Sequence, residues 1–460
     1  MKRQLPRFLR YDSSLGRIST PRGELSLKRL FLPLFLESLL LNLMGTVNTY
    51  VLSFYADESV AAVGSANQLI GLSLTLFSVV SAGAGIVISQ ALGANDRRAA
   101  SDAVFYTLCF VGVFSLLLGV TLSFFGRPLL RLMKLRGNFL EEAADYFELI
   151  IRYSVFPALL TAFSAVFKSC GRPKLCVCVT LGMNALNGIL NYLVIFQPFP
   201  LPLYGTHGIA VCNVLCKALG CLTMLLFFLH ARLGFDLNPL HPHAPRLLLR
   251  VLQVGIPGGI STFSYSLSQV LTTSIIVQIG VSAVSTKIYV SNLVFYVYMF
   301  GSALGNSSAI LIGWLVGAGR TEQAYRLNMQ SLRLAVATNV TLSLLVFLFG
   351  GHLLRLFTDD PQILHTGRML LAADIAVEAF RAVNHIEENA LRGAGDVFFP
   401  MIASIVSCWC ASVLLAYLFS IRLGMGLLGC WLAFACDEGL RGIVYLARWR
   451  SRRWERKRLS

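Results

Sequence analysis

Residues 63–91 read VGSANQLIGLSLTLFSVVSAGAGIVISQA. The stretch holds no Asp, Glu, Lys or Arg and exceeds the roughly 20 apolar residues that cross a bilayer core. It also has a counterpart 224 residues further on. Ser78, Ile88 and Gly93-Ala94 recur as Ser302, Ile312 and Gly317-Ala318. Pro33 in Leu32-Pro33-Leu34 recurs as Pro257 in Ile256-Pro257-Gly258 at the same offset, and Gly171 pairs with Gly393 at 222. One segment thus says that the chain crosses a membrane and that it was built by duplication.

Similar apolar runs are read at 30–52, 103–125, 147–167, 175–196 and 208–229, and in the second half at 251–277, 283–314, 334–350, 369–391, 398–420 and 425–446. With 63–91 they make twelve. Composition agrees: 56% of the 460 residues are hydrophobic and only 13% charged, against about 25% in a soluble domain. Mean hydropathy is +0.68. So little charge cannot cover a 50.5 kDa globule, and lipid must solvate much of its surface. The expected fold is an all-α membrane protein of twelve transmembrane helices in two homologous six-helix lobes. An even number of spans per half gives both copies one orientation, a parallel repeat about the membrane normal. The expected divisions are a basic tail at 1–28, an N-lobe at 29–230, a linker at 231–250, a C-lobe at 251–446 and a second basic tail at 447–460.

A net charge of +16 would suit a nucleic-acid partner, but its placement argues otherwise. Both tails and the loops after every second span hold 27 Lys and Arg, while the opposite loops hold seven. By the positive-inside rule both termini are cytoplasmic. The chain is therefore placed in a bacterial inner membrane, working as a monomer with the bilayer and a small-molecule substrate as its partners. The polar start offers no cleavable signal. Most of the eleven cysteines sit within apolar spans, with no metal-site spacing.

An ionisable side chain inside a span costs about 2.5–3.5 kcal/mol on insertion scales, so each is a functional candidate. At ~100° per residue, Asp374, Glu378, Arg381, His385, Glu388 and Arg392 lie within roughly 80° on the tenth span. Such a stripe is either a proton or cation relay, with Glu378 the titrating carboxylate, or a static ladder of ion pairs. Glu37 stands alone in the first span and needs a proton or a distant base, Lys217 or Lys287. Tyr265, Ser268, Gln269 and Thr272 share one face of the seventh span, as do Tyr289, Asn292 and Tyr296 of the eighth. They read as ligand-facing groups, since aromatic faces attract organic cations, or as interhelical glue.

Several enzyme and pump chemistries are missing. There is no Gly-x-x-x-x-Gly-Lys phosphate loop to drive transport with ATP and no His-Glu-x-x-His zinc motif. Gly393-Ala394-Gly395-Asp396 echoes an intramembrane protease motif but reads as a turn after a helix. No enzyme activity, metal or organic cofactor is expected.

The chain resembles the multidrug and toxic-compound extrusion (MATE) family of the flippase-like superfamily. The resemblance rests on Gly45-Thr46-Val47-Asn48-Thr49, Ala61-Ala62-Val63-Gly64, Ile88-Ser89-Gln90-Ala91-Leu92-Gly93-Ala94 and Cys170-Gly171-Arg172-Pro173 in the first half. Asn184, Asn187 and Asn191-Tyr192 extend it. Ile310-Leu311-Ile312-Gly313, Gly317-Ala318-Gly319-Arg320 and Leu391-Arg392-Gly393-Ala394-Gly395-Asp396 carry it in the second. It implies a V-shaped pair of lobes, alternating access, and secondary antiport that exports amphipathic or cationic compounds against protons or sodium. The alternatives are a lipid or lipid-linked sugar flippase of the same superfamily, and a sensor or scaffold without turnover. The sequence departs from the family where Asn48 and Asn191 replace aspartates. Both amides are then expected to face substrate, with Tyr265, Gln269, Lys287, Asn292 and Tyr296. Ion coupling is expected to move to Glu37 or to Asp374, Glu378, Arg381 and His385.

Overall fold

The computed structural model describes residues 18–20, 23–133, 135–198, 202–230 and 244–457. A two-stranded antiparallel hairpin, Ile18–Thr20 with Gly23–Leu25, precedes the helices. The first six spans are Leu27–Ser53, Asp57–Gly93, Arg97–Leu132, a fourth in two pieces, Pro173–Phe196 and Gly205–His230. The fourth comprises Gly137–Arg152 and Val155–Ser169, bent by 49°. The second six are Ala244–Ile279, Val281–Gly317, Thr321–Arg355, Pro361–Ala394, Phe398–Arg422 and Gly426–Arg450. Two turns of the eleventh, Cys408–Val413 and Leu418–Arg422, are π-helical.

Among the described residues nine helices are long and apolar enough to cross a membrane, and the bent pair makes a tenth. The two that fall short are the tenth and twelfth. Their length suffices: the twelfth has 25 residues, about 37 Å at 1.5 Å per residue. Internal charges lower their hydropathy, and those charges are turned inward.

The duplication is visible in how the helices end. Asp96 N bonds Ala91 O at 2.9 Å around a left-handed Asn95, and Arg320 N bonds Leu315 O at 2.8 Å around a left-handed Gly319. Arg172 N bonds Phe167 O at 2.8 Å around Gly171, and Asp396 N bonds Leu391 O at 2.9 Å around Gly395. Each is the i→i−5 closure that needs a positive φ just past the last turn. Both pairs lie 224 residues apart. The structural partner of Gly171 is therefore Gly395, with φ +97°; Gly393 is instead a helical residue pressed on Ala309. Gly395→Ala is expected to cost about 1 kcal/mol, because a Cβ disfavours the left-handed region. Thermal unfolding in detergent measures it, and Gly45→Ala, inside a helix where a Cβ meets open space, is the control that should not lower the melting temperature.

The chain divides into two compact units, Leu32–Ile256 and the remainder. The divisions fall inside the first and seventh helices, beside Pro33 and Pro257; most of the expected linker (231–243) lies outside the described residues. Proline removes one i→i−4 hydrogen bond, so a helix can change packing partners there. The start of the seventh helix stays with the first unit: a Cβ on Gly83 would lie 2.4 Å from Val251 O. The start of the first helix stays with the second unit, where Phe31 meets the Phe300 ring edge-on at 4.7 Å. Each unit has its own apolar core, one around Phe147, Ile151 and Leu130, the other around Leu370, Leu371 and Trp431.

Candidate functional site: a charged cavity in the C-terminal unit

The tenth helix is fixed at both ends. Asp360 accepts hydrogen bonds from Gln362 N at 2.8 Å and Ile363 N at 3.4 Å, Pro361 occupies the first turn, and Gly395 closes the last. Between them the helix delivers Asp374, Arg381, His385 and Glu388 to a cavity of about 440 Å³. The seventh helix contributes Tyr265 and Gln269 to its wall, and the eighth Lys287, Tyr298 and Ser302. The twelfth adds Trp431, Asp437, Glu438 and Arg441.

The charged groups form one connected cluster. Arg381 contacts Glu378 through Nη1 and donates from Nε to Glu438 Oε1 at 3.1 Å. Glu438 Oε2 accepts from Asn384 Nδ2 at 2.5 Å. Arg441 Nη2 lies 2.7 Å from Asp437 Oδ2 and 3.3 Å from Glu438 Oε1. Asp437 Oδ1 also accepts from Ser407 Oγ at 2.6 Å, just before a π-helical turn of the eleventh helix. Asp374 accepts from Trp431 Nε1 at 3.1 Å, while its Oδ2 has no donor among the described residues. Glu378, Asp437 and Glu438 thus share two guanidiniums, and Asp374 stands beside them without an ion pair among the described residues. His385 lies edge-on to Tyr298, ring centres 5.2 Å apart, and Lys287 donates to Thr273 Oγ1 at 2.6 Å.

These facts revise several sequence expectations. Glu378, the expected titrating group, does not line the cavity. It is fully buried behind Arg381 and also accepts from Asn339 Nδ2 at 3.3 Å. Asn292 and Tyr296 point elsewhere: the eighth helix turns Ser291, Phe295 and Tyr298 inward, and Tyr296 is 61% exposed. Ser268 and Thr272 hydrogen-bond their own backbone. Asp437, Glu438 and Arg441 were missed, although the rule that singled out Asp374 applies equally to ionisable residues within 425–446.

In the N-terminal unit, Glu37 is partnered neither by Lys217 nor by Lys287. Its Oε1 meets Lys168 Nζ at 2.9 Å and accepts from Ser164 Oγ at 2.8 Å. Lys168 lies one residue beyond the expected fourth span (147–167) and sits in the last turn of its helix; the packing folds it inward. Asn48 and Asn191 form an amide chain. Asn191 donates to Asn48 Oδ1 at 2.6 Å and to Asn187 Oδ1 at 3.1 Å, and Asn48 donates to Asn213 Oδ1 at 3.0 Å. Asn191 is wholly buried, so it joins helices.

The MatE family pattern matches twice, at residues 33–193 and 257–418, once in each half. The chain belongs to the MatE family. It is a multi-pass membrane transporter of that family, with a small-molecule substrate. A relative in Bacillus subtilis (strain 168), the uncharacterized transporter YisQ, is 36% identical over 95% of this chain and 96% of its own. The probable multidrug resistance protein NorM of Thermotoga maritima is 27% identical over 98% and 97%. A MATE crystal structure in the bent conformation superposes with a TM-score of 0.88 at 18% identity, covering 97% of this chain and 96% of that one. MatE architecture, twelve spans in two lobes, is thus the architecture of this chain.

Proposed function

We propose that this transporter is a secondary antiporter of a bacterial inner membrane that exports amphipathic, cationic small molecules in exchange for protons or sodium by alternating access. The carrying observation is Asp374, a carboxylate in the wall of the C-unit cavity that no ion pair among the described residues engages and whose Oδ2 has no donor among them. Unpaired buried charge is expensive. The site therefore favours a bound cation, and a coupling ion and a cationic substrate compete for it. Tyr298 offers an aromatic surface beside that charge, while the Tyr265 ring already holds the Arg441 guanidinium 5.7 Å from its centre. The three guanidiniums that line the cavity, those of Arg381, Arg392 and Arg441, are already engaged by carboxylates, which disfavours an anionic lipid headgroup. The relatives named for multidrug resistance agree with this reading.

Proteoliposomes loaded with a panel of cationic, neutral and anionic dyes test it. Cationic dyes should move uphill under an imposed proton or sodium gradient, whereas anionic dyes should stay. Uphill movement of the anionic dyes alone, or no movement under either gradient, would overturn the proposal. Both termini are placed in the cytoplasm. Single cysteines at Asn95 and Gln323 should then react with an impermeant reagent only after permeabilisation, and one at Tyr204 in intact cells.

A further inference from the structure

The tenth helix carries another carboxylate, outside the cavity, that no ion pair accounts for. Glu387 is fully buried and sits about 100° round the helix from cavity-lining Glu388. Its Oε2 accepts from Nδ2 of Asn328, a fully buried residue of the ninth helix, at 2.9 Å. The other two oxygens, Glu387 Oε1 and Asn328 Oδ1, are both buried without a donor among the described residues.

Among the described residues the surroundings supply no counter-charge in contact. Arg450 of the twelfth helix bears on Glu387 electrostatically without an ion pair among the described residues. On the same helix, Glu388 and Arg392 pair with each other at 3.5 Å. On the ninth, Arg326 pairs with Glu322 and Arg333 is exposed. The eighth helix brings Ser307 and Ser308, and Ser308 Oγ donates to Ser331 Oγ at 3.3 Å.

A single proton answers both orphaned oxygens. Placed on Oε1, it makes Glu387 a neutral acid and gives Asn328 Oδ1 a donor. Acid and amide then each give and accept one hydrogen bond in a closed ring. We propose that Glu387 and Asn328 form a proton-binding site between the ninth and tenth helices, separate from the cavity. The proton is taken from water onto Oε1 and returned to water, and both steps require the two helices to part. Parting of those two helices thus lets the pair bind or release one proton independently of Asp374.

Infrared spectroscopy of the intact protein in lipid nanodiscs reads the proton directly, whether or not the antiport reading holds. At neutral pH a protonated-carboxyl C=O band is expected, lost in Glu387→Gln and kept in Asp374→Asn. Glu387→Gln should melt no lower than the wild type, because the amide supplies the donor that the proton supplied. Asn328→Leu keeps the acid and serves if the first variant does not fold; its band should move to the higher frequency of an acid without an acceptor. The proposal fails if Glu387→Gln leaves the band unchanged or if Asn328→Leu does not move it. It also fails if sodium in place of potassium abolishes the band, which would make this a metal-ion site.

Discussion

Asp374→Asn is expected to reduce uphill export to background while leaving ligand binding measurable. The substitution keeps size and lets a side-chain oxygen still accept from Trp431 Nε1, but it removes the charge that faces the cavity. An amide cannot alternate between charged and neutral forms, so a gradient has nothing to act on there. Glu378→Gln is the instructive comparison. Glu378 is held by Arg381 and Asn339 away from the cavity, so its loss should weaken the cluster and lower stability while export remains coupled. Gradient-driven dye export and equilibrium binding of the same dye separate the two. Wild-type uphill export by Asp374→Asn would remove Asp374 from the mechanism, and an uncoupled Glu378→Gln would restore the older assignment.

Lys168→Met should destabilise the N-terminal unit by about 3 kcal/mol, as breaking a buried ion pair from one side does. Glu37 is 4% exposed, and among the described residues only Ser164 would remain to hold its carboxylate. Adding Glu37→Met should restore most of the loss, since two apolar side chains leave no stranded charge. Thermal unfolding of the two variants in one detergent gives the answer. Equal melting temperatures for the single and double variants would show that Lys168 stabilises through something other than Glu37.

Much of the fold could be read from the chain because membrane insertion writes itself into local sequence. Each span must hold about 20 residues that tolerate hydrocarbon. The duplication leaves its prolines and helix-end glycines at one fixed offset, since Gly or Asn is needed wherever a helix closes through a left-handed residue. Gly319 and Gly395 answer Asn95 and Gly171 for that reason. The tenth helix's charged face was legible too, as side chains 3 and 4 residues apart share a face.

The partners of those charges were not. Glu438 lies 57 residues from Arg381 in sequence, and Lys168 more than a hundred from Glu37; helical periodicity says nothing about which face meets which. A face of Tyr and Asn on the eighth helix looked suited to a ligand, yet packing turned the opposite one inward. The sequence by itself determined the spans and their duplication, because those depend on local hydropathy and on residues that recur at a fixed offset. Only the tertiary structure decided that Asp374 keeps a free oxygen while Glu378 is engaged, because that depends on which donors distant helices bring within hydrogen-bonding range.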